Sequence, residues 1–107
     1  MSNLDLNKKY LDILTEIINS SLPEESVAFI FGSRVDGTSK PTSDIDIGVK
    51  GIKDQKYLKL FLLKEKLNKA IIPYFMDVVD FDNENDTNFG KFAMQNVYYI
   101  KNGQNNS

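Results

Sequence analysis

Two aspartates, one residue apart, are the residues whose type and spacing most directly indicate chemistry. Asp44 and Asp46 flank Ile45 in the segment DIDIGVK, where polar and apolar side chains alternate. Side chains two apart in a β-strand share a face, so we expect both carboxylates on one side and the isoleucines in the core. Adjacent like charges are unfavourable without a cation between them, and Mg²⁺ binds carboxylates together with substrate phosphates. A half-exposed strand shows the same alternation, so Asp-x-Asp alone leaves both interpretations open.

A third carboxylate lies in the apolar run PYFMDVVDF, which predicts a strand over residues 73–81. Asp77 and Asp80 are three residues apart and therefore project from opposite faces of a strand. Asp77 lies in the middle of the run, where a carboxylate without a partner would be costly. We therefore predict Asp77 as the third metal ligand, and Asp80 as a solvated residue or a cap for the next segment.

A glycine-serine turn follows the apolar run SVAFIF, which predicts a buried strand over residues 26–31. Gly32 permits a tight turn and the close approach of a ligand. A helix beginning at Ser33 would direct N–H groups at a phosphate, although a strand-to-helix turn capped by serine explains the same residues. With the three aspartates, this cradle predicts a two-metal site for in-line phosphoryl chemistry.

The composition excludes several other chemistries. The chain has 107 residues, which indicates one domain, and it has no cysteine and no histidine. Disulfides, thiolate nucleophiles, Cys/His zinc sites and histidine bases are therefore excluded. The net charge of −2 argues against binding to nucleic acid. The N-terminus has no apolar signal core and no run approaches membrane-spanning length, so we expect a cytoplasmic protein without a membrane partner.

The remaining pattern predicts an α/β (α+β) layered domain with a small parallel or mixed sheet flanked by helices. Apolar residues at helical spacing predict the two longer helices, and shorter signals predict the rest. The predicted helices cover residues 5–20, 54–71 and 87–95, with a short one from Ser33, and the predicted strands cover 26–31, 44–50, 73–81 and 97–100. We predict one domain over 1–101 and a disordered tail over 102–107. A chain this short buries only part of its surface, which favours a homo- or hetero-oligomer.

The stretch GSRVDGTSKPTSDIDIGV, residues 32–49, resembles the signature of the DNA polymerase β-like nucleotidyltransferases. That signature is Gly-Ser, a loop with an internal glycine, and then Ser-Asp-x-Asp. PYFMDVVDF resembles the strand that carries the family's third carboxylate, and the ligand position falls on Asp77. In length and layout the chain is similar to the minimal nucleotidyltransferases of prokaryotes. Many of these pair with a helical HEPN-domain protein in modules that resemble toxin–antitoxin systems.

The resemblance implies a Mg²⁺-dependent enzyme that moves AMP from ATP to an acceptor hydroxyl, with a tyrosine of a HEPN-domain partner protein as the leading acceptor. The residues that match the family's two-Mg²⁺ and catalytic positions are Asp44, Asp46 and Asp77. Those that match its nucleotide-binding positions are Gly32, Ser33, Arg34 and Ser43. For Arg34 the sequence leaves two roles open, a phosphate contact and a surface salt bridge.

A second interpretation belongs to a different class of protein. The domain would be a non-catalytic module that clamps a HEPN-type partner, with nucleotide binding in a regulatory or vestigial role. Four aromatic residues near the C-terminus would then form the partner surface. They are Phe89, Phe92, Tyr98 and Tyr99. The alternative for these residues, which we favour in so small a domain, is that they cover the core over the sheet.

Overall fold

Helices and strands alternate along the chain, as the apolar periodicity predicts. The computed structural model describes residues 4–84 and 86–103. The elements are α1 (Lys8–Ser21), β1 (Val27–Phe31), α2 (Ser33–Asp36), β2 (Ile45–Lys50), α3 (Lys56–Lys69), β3 (Met76–Asp80), a 3₁₀ turn (Phe81–Asn83), α4 (Asn88–Ala93) and β4 (Tyr98–Asn102). α1 begins where the side chain of Asn7 accepts a hydrogen bond from the N–H of Lys9, at 2.8 Å, which satisfies one of the unpaired donors of its first turn.

The sheet is mixed, with the strand order β3-β2-β1-β4. β1 is antiparallel to both β2 and β4, whereas β2 and β3 are parallel. Parallel neighbours need a long crossover, and α3 provides it between β2 and β3. The predicted α/β class with a small mixed sheet is therefore confirmed.

α1 and α3 cover one face of the sheet and form the main core with it. The side chains that lie there alternate along the central strands, which is why β2 reads as polar–apolar. From the helices they are Leu14, Ile18, Leu60, Leu63 and Leu67, and from the strands Ala28, Ile30, Ile45, Ile47, Val49 and Val78. The outward residues of β2, among them Asp46, therefore lie on the opposite face.

The opposite face has a smaller aromatic core. Phe29, Phe31 and Phe81 pack there with Ala93 of the short helix α4. The rings of Phe29 and Phe81 lie edge to face, with centroids 5.0 Å apart. Gly48 of β2 leaves room for them, because a Cβ at this position would lie 2.9 Å from Cδ1 of Phe81 and still closer to Phe29.

Strand pairing, and not composition, sets the boundaries at the start of β3 and at the end of β4, where the structure differs from the prediction. The strand predicted over 73–81 begins only at Met76, which pairs with Ile45, the first residue of β2. The tail predicted over 102–107 is ordered at its start, since Asn102 belongs to β4 and pairs with Val27. Residues 104–107 lie outside the described residues. Within the described ranges, no helix has the length and apolar character needed to cross a bilayer.

Candidate active site

The acidic residues meet at the end of the sheet where β1 stops and β2 and β3 begin. Asp46 pairs in register with Asp77 on the parallel neighbour β3 and with Phe31 on the other side. Register partners project from the same face, so the Asp46 and Asp77 carboxylates lie on the side opposite the main core. Asp44 precedes β2 and is exposed, whereas Ile45 is fully buried. The structure thus brings the three predicted aspartates to one corner of the molecule.

Burial raises the pKa of the Asp46 carboxyl above its ordinary value, and the charges of Asp77 and then Asp44 raise this pKa further. Both causes act against the ionised form. Asp46 therefore lies where a negative charge is least favourable without a cation. The raised pKa of Asp46 is thus a consequence of its partial burial and of its position beside the Asp77 and Asp44 carboxylates.

The glycine of the Gly-Ser turn lies against the same carboxylate. Gly32 has φ 83° and ψ −152°, a conformation that only glycine adopts readily. A Cβ at this position would collide with Oδ2 of Asp46 and lie 3.3 Å from its Cγ. The carbonyl of Gly32 accepts hydrogen bonds from the N–H groups of Val35 and Asp36, each at 3.1 Å. The predicted helix from Ser33 is confirmed, with Gly32 and not Ser33 at its N-cap.

The three aspartates do not by themselves form a closed cage. Among residues 4–84 and 86–103, no three acidic side chains stand close enough together to hold a metal ion. Mg²⁺ keeps several waters and takes oxygens from substrate phosphates, so it needs only one or two carboxylates from the protein. A partly buried Asp46 between two further carboxylates fits such an ion, whose remaining ligands would come from a nucleotide and water.

Arg34 has a structural role that the sequence did not predict. Its side chain is buried, with 4% exposed. Nε and Nη2 donate to the carbonyl of Ser43, at 3.2 and 2.7 Å, and Nη1 donates to the carbonyl of Asp5, at 2.9 Å. The guanidinium also lies 4.3 Å from the ring centre of Tyr74. Arg34 therefore holds the loop before β2 to the N-terminal segment, and its contact with a nucleotide stays a prediction.

Ser43, also predicted at the nucleotide, makes its hydrogen bonds within its own loop. Its Oγ accepts from the N–H of Lys40 at 2.8 Å, and its N–H donates to the carbonyl of Lys40 at 3.0 Å. These two bonds close a turn directly before Asp44. Ser43 thus shapes the turn that leads into the acidic pair, and its contact with a nucleotide stays a prediction.

Asp80 has the capping role predicted for it. Its Oδ1 accepts from the N–H of Asp82 at 3.0 Å at the start of the 3₁₀ turn. Its other oxygen lies 2.9 Å from Nζ of Lys56, which also contacts Asp82 at 3.2 Å. These two partners, Asp80 first, raise the pKa of the Lys56 ammonium. The first turn of α3 is thereby fastened to the end of β3, away from Asp77.

A pocket of about 180 Å³ opens beside Gly32 and Asp46. Phe31, Phe89, Phe92 and Asn96 also line it. The sequence marked Phe89 and Phe92 only as core cover or partner surface, and nothing local marked Asn96. The rings of Phe89 and Phe31 lie 5.9 Å apart, so Phe89 does cover the aromatic core. Phe92 is 68% exposed and extends from the pocket wall.

The other two aromatic residues behave largely as the core-cover interpretation predicted. Tyr98 is partly buried against the main core. The ring of Tyr99 lies 5.9 Å from that of Phe29, and 45% of the residue remains exposed.

A glycine turn against an acidic pair, with a third aspartate on the parallel neighbour strand of a mixed sheet, defines the class of nucleotidyltransferases. Comparison with known families agrees with this geometry. The sequence profile of the polymerase beta nucleotidyltransferase family matches residues 12–104. The chain belongs to this family and is a nucleotidyltransferase.

One relative supports the same assignment, and two solved structures share the fold. The chain is 30% identical over 79 residues to the probable protein adenylyltransferase MntA of Haemophilus influenzae, a match that covers 74% of this chain and 68% of the relative. A crystal structure of a toxin–antitoxin with AMP-PNP is similar in fold, with a TM-score of 0.66, 23% identity, and coverage of 92% of this chain and 76% of that one. A mutant of the toxin–antitoxin MntA-HpeT gives a TM-score of 0.62 at 20% identity and the same coverage.

Proposed function

We propose that this nucleotidyltransferase moves AMP from ATP to a hydroxyl group on a partner protein, with Mg²⁺ as its cofactor. The observation that carries the proposal is the register of Asp46 and Asp77 on adjacent parallel strands, beside the turn at Gly32. The protein acceptor is supported by the relative in Haemophilus influenzae, which is described as a probable protein adenylyltransferase. A tyrosine hydroxyl of a HEPN-type partner is the acceptor we favour.

In the proposed reaction the acceptor oxygen attacks the α-phosphorus of ATP in line with the leaving group. A new oxygen–phosphorus bond forms, and the bond from the α-phosphorus to the bridging oxygen breaks, so that pyrophosphate leaves with the electron pair. Asp77 takes the proton of the acceptor hydroxyl. This role suits Asp77 because its side chain is exposed at the edge strand, and the chain has no histidine to serve as a base.

Asp44, Asp46 and Asp77 would hold the two Mg²⁺ ions, which when bound supply charge neutralisation at the phosphates and a lowered pKa at the acceptor hydroxyl. Asp46, between its two neighbours, would contribute to both sites. The fixed backbone of β2 holds Asp46, because Ile45 and Ile47 on either side of it are fully buried. Its carboxylate is therefore positioned before any ligand arrives.

The turn at Gly32 and Ser33 would contact the triphosphate. Because Gly32 has no side chain, the backbone there lies directly against Asp46, and a phosphate bound at the carboxylate would also meet the turn. Ser33 is the first residue of α2 and only partly buried, so its hydroxyl can donate to a phosphate oxygen.

The experiment that tests this proposal follows AMP itself. The chain is incubated with labelled ATP, Mg²⁺ and a candidate HEPN-type partner protein, and the partner is examined by mass spectrometry for a gain of one AMP. We expect transfer by the natural chain and by Asp54→Asn, whose exposed carboxylate lies before α3. We expect none from the double variant Asp44→Asn, Asp46→Asn. Retained transfer by the double variant, with an unchanged circular dichroism spectrum, would falsify the assignment.

A second candidate function, a module that clamps a HEPN-type partner without catalysis, is favoured by one observation. α3 presents apolar side chains outward as well as inward: Tyr57, Leu58, Phe61 and Leu62 are all more than 45% exposed. Residues at this spacing share one side of a helix, and contiguous exposed apolar surface marks protein contacts. Tight complex formation that is lost in Phe61→Ser, together with no AMP transfer to the partner, would favour the clamp over the enzyme.

A further inference from the structure

The pocket beside Gly32 has the composition of a site for a flat aromatic ring. Phe31, Phe89 and Phe92 supply an apolar wall, and Asn96 supplies an amide beside the carboxylates of Asp36 and Asp46. Its volume of about 180 Å³ is below the range of roughly 300–1,000 Å³ that holds drug-sized molecules. It suits a single fused ring system and not a whole nucleotide.

The position of the pocket in the sheet indicates which substrate would enter it. In the order β3-β2-β1-β4, Asp77 lies on the β3 side of Asp46, and Gly32 with Phe31 lies on the β1 side. The pocket continues from Asp46 over β1 to α4. A nucleotide whose phosphates lie at Gly32 and Asp46 therefore has the pocket next to it. An acceptor hydroxyl at Asp77 would approach from the opposite side.

The two outer rings of the pocket differ in how firmly they are held. Phe89 packs against the rings of Phe31 and Phe81, with centroids 5.9 and 5.7 Å away. Phe92, one helical turn further along α4, is 68% exposed and has no ring partner within the described part of the chain. A large exposed ring at the edge of a catalytic pocket offers a free face for stacking, and the anchored Phe89 keeps its helix in place.

We propose, on the basis of the proposed function, that this pocket binds the purine base of the nucleotide, stacked on Phe92, with Asn96 reading its edge. Stacking on an aromatic ring is strong and tolerant of base identity. An asparagine amide has an adjacent donor and acceptor that match the N6 and N7 groups of adenine. Phe92 thus provides affinity for the base, and Asn96 provides selectivity for adenine over guanine.

Binding without an acceptor separates base recognition from phosphate recognition. Isothermal titration in Mg²⁺ compares ATP, GTP, UTP and inorganic tripolyphosphate on the natural chain, Phe92→Ala, Asn96→Ala and the control Phe75→Ala, an exposed ring in a different groove. We expect Phe92→Ala to weaken ATP about tenfold and to leave tripolyphosphate unchanged. Asn96→Ala should reduce the preference for ATP over GTP about tenfold. Phe75→Ala should change neither.

Three results would overturn the inference. Equal weakening of ATP and tripolyphosphate by Phe92→Ala would mean that the ring only supports the fold. If Phe92→Ala leaves the ATP affinity unchanged but raises the KM for the acceptor protein in the AMP-transfer assay, the pocket belongs to the acceptor. An equal affinity of the natural chain for ATP and tripolyphosphate would show that no base site exists.

The titrations and the AMP-transfer assay together distinguish a failure of this inference from a failure of the proposed function. Base-selective binding without AMP transfer contradicts the function and leaves the pocket assignment standing. AMP transfer without base-selective binding contradicts the pocket assignment and leaves the proposed function standing.

Discussion

The substitution Gly32→Ala tests whether the turn and the Asp46 carboxylate form one unit. The φ of 83° and ψ of −152° at Gly32 belong to a region that costs other residues about 1–3 kcal/mol. The new methyl group would also collide with Oδ2 of Asp46, and the carboxylate must rotate to relieve the contact. We therefore expect a loss of about 2 kcal/mol in the free energy of unfolding, which corresponds to a drop of roughly 10 °C in Tm.

Gly37→Ala is the matched control. Gly37 also has a positive φ, of 89°, but a Cβ there would meet nothing within 4 Å. The control therefore carries the backbone strain without the contact, and we expect a loss of about 1 kcal/mol. AMP transfer should fall about a hundredfold in Gly32→Ala, because a displacement of about 1 Å in a catalytic group has this effect. It should stay near the natural rate in Gly37→Ala at a temperature where both variants are folded.

A double-mutant cycle isolates the contact itself. In an Asp46→Ala background the side chain that collides with the new methyl group is absent, so Gly32→Ala should destabilise the fold less than it does in the natural chain. Thermal and urea unfolding of the four proteins measure the coupling, which we expect to exceed about 0.5 kcal/mol. Additive losses within that margin, or equal loss of transfer in Gly32→Ala and Gly37→Ala, would refute the claim that the turn positions Asp46.

Two further predictions concern charges. Since the pKa of Asp46 is raised above its ordinary value of 3.8, the folded chain holds this proton more tightly than the unfolded chain. Stability is therefore lost as pH rises from 3.8 through the raised pKa of the folded chain. Asp46→Asn should therefore raise Tm by about 3 °C at pH 7 and by nothing near pH 3; an equal gain at both would contradict this sign. In Arg34→Lys the new side chain cannot span the Ser43 and Asp5 carbonyls. We expect a loss of about 2 kcal/mol in the free energy of unfolding and faster proteolysis of residues 37–43. Unchanged cleavage would refute the role of Arg34 in holding this loop.

The sequence was sufficient to predict which face of a strand each side chain occupies, because that depends on local periodicity. Alternation in DIDIGVK placed Ile45 and Ile47 in the core and Asp46 on the other face, and the three-residue spacing separated Asp77 from Asp80. Both follow from the two-residue repeat of a strand. The role of Gly32 could also be predicted, because glycine permits a tight turn and close approach. The structure adds the partner, since a Cβ there would collide with Asp46.

The features that could not be predicted depend on partners distant in sequence. Arg34 looked like a phosphate or surface residue because nothing near it reveals that Asp5, 29 residues earlier, accepts its hydrogen bond. Residues 73–75 have strand composition, but β2 begins at Ile45, opposite Met76. The carbonyl of Phe75 accepts from the N–H of Ile45 at 2.9 Å, and the paired register starts only at the next residue. The pocket likewise required Asn96 and Gly32 to meet across the sheet, which no spacing rule connects.

The placement of Asp46 links folding to catalysis. The buried isoleucines on either side fix its backbone, so the carboxylate cannot move far from Asp77 to relieve their repulsion. The helix α4 is short and leaves this end of the sheet open. Under the proposed function, a cation bound there would relieve the repulsion between the carboxylates. Ligands that bind the folded chain alone stabilise it in proportion to their occupancy. Under the proposed function, the same unrelieved charge that weakens the free domain would strengthen its affinity for a metal–nucleotide complex, and the loss of either neighbour, Asp44 or Asp77, would weaken both effects together.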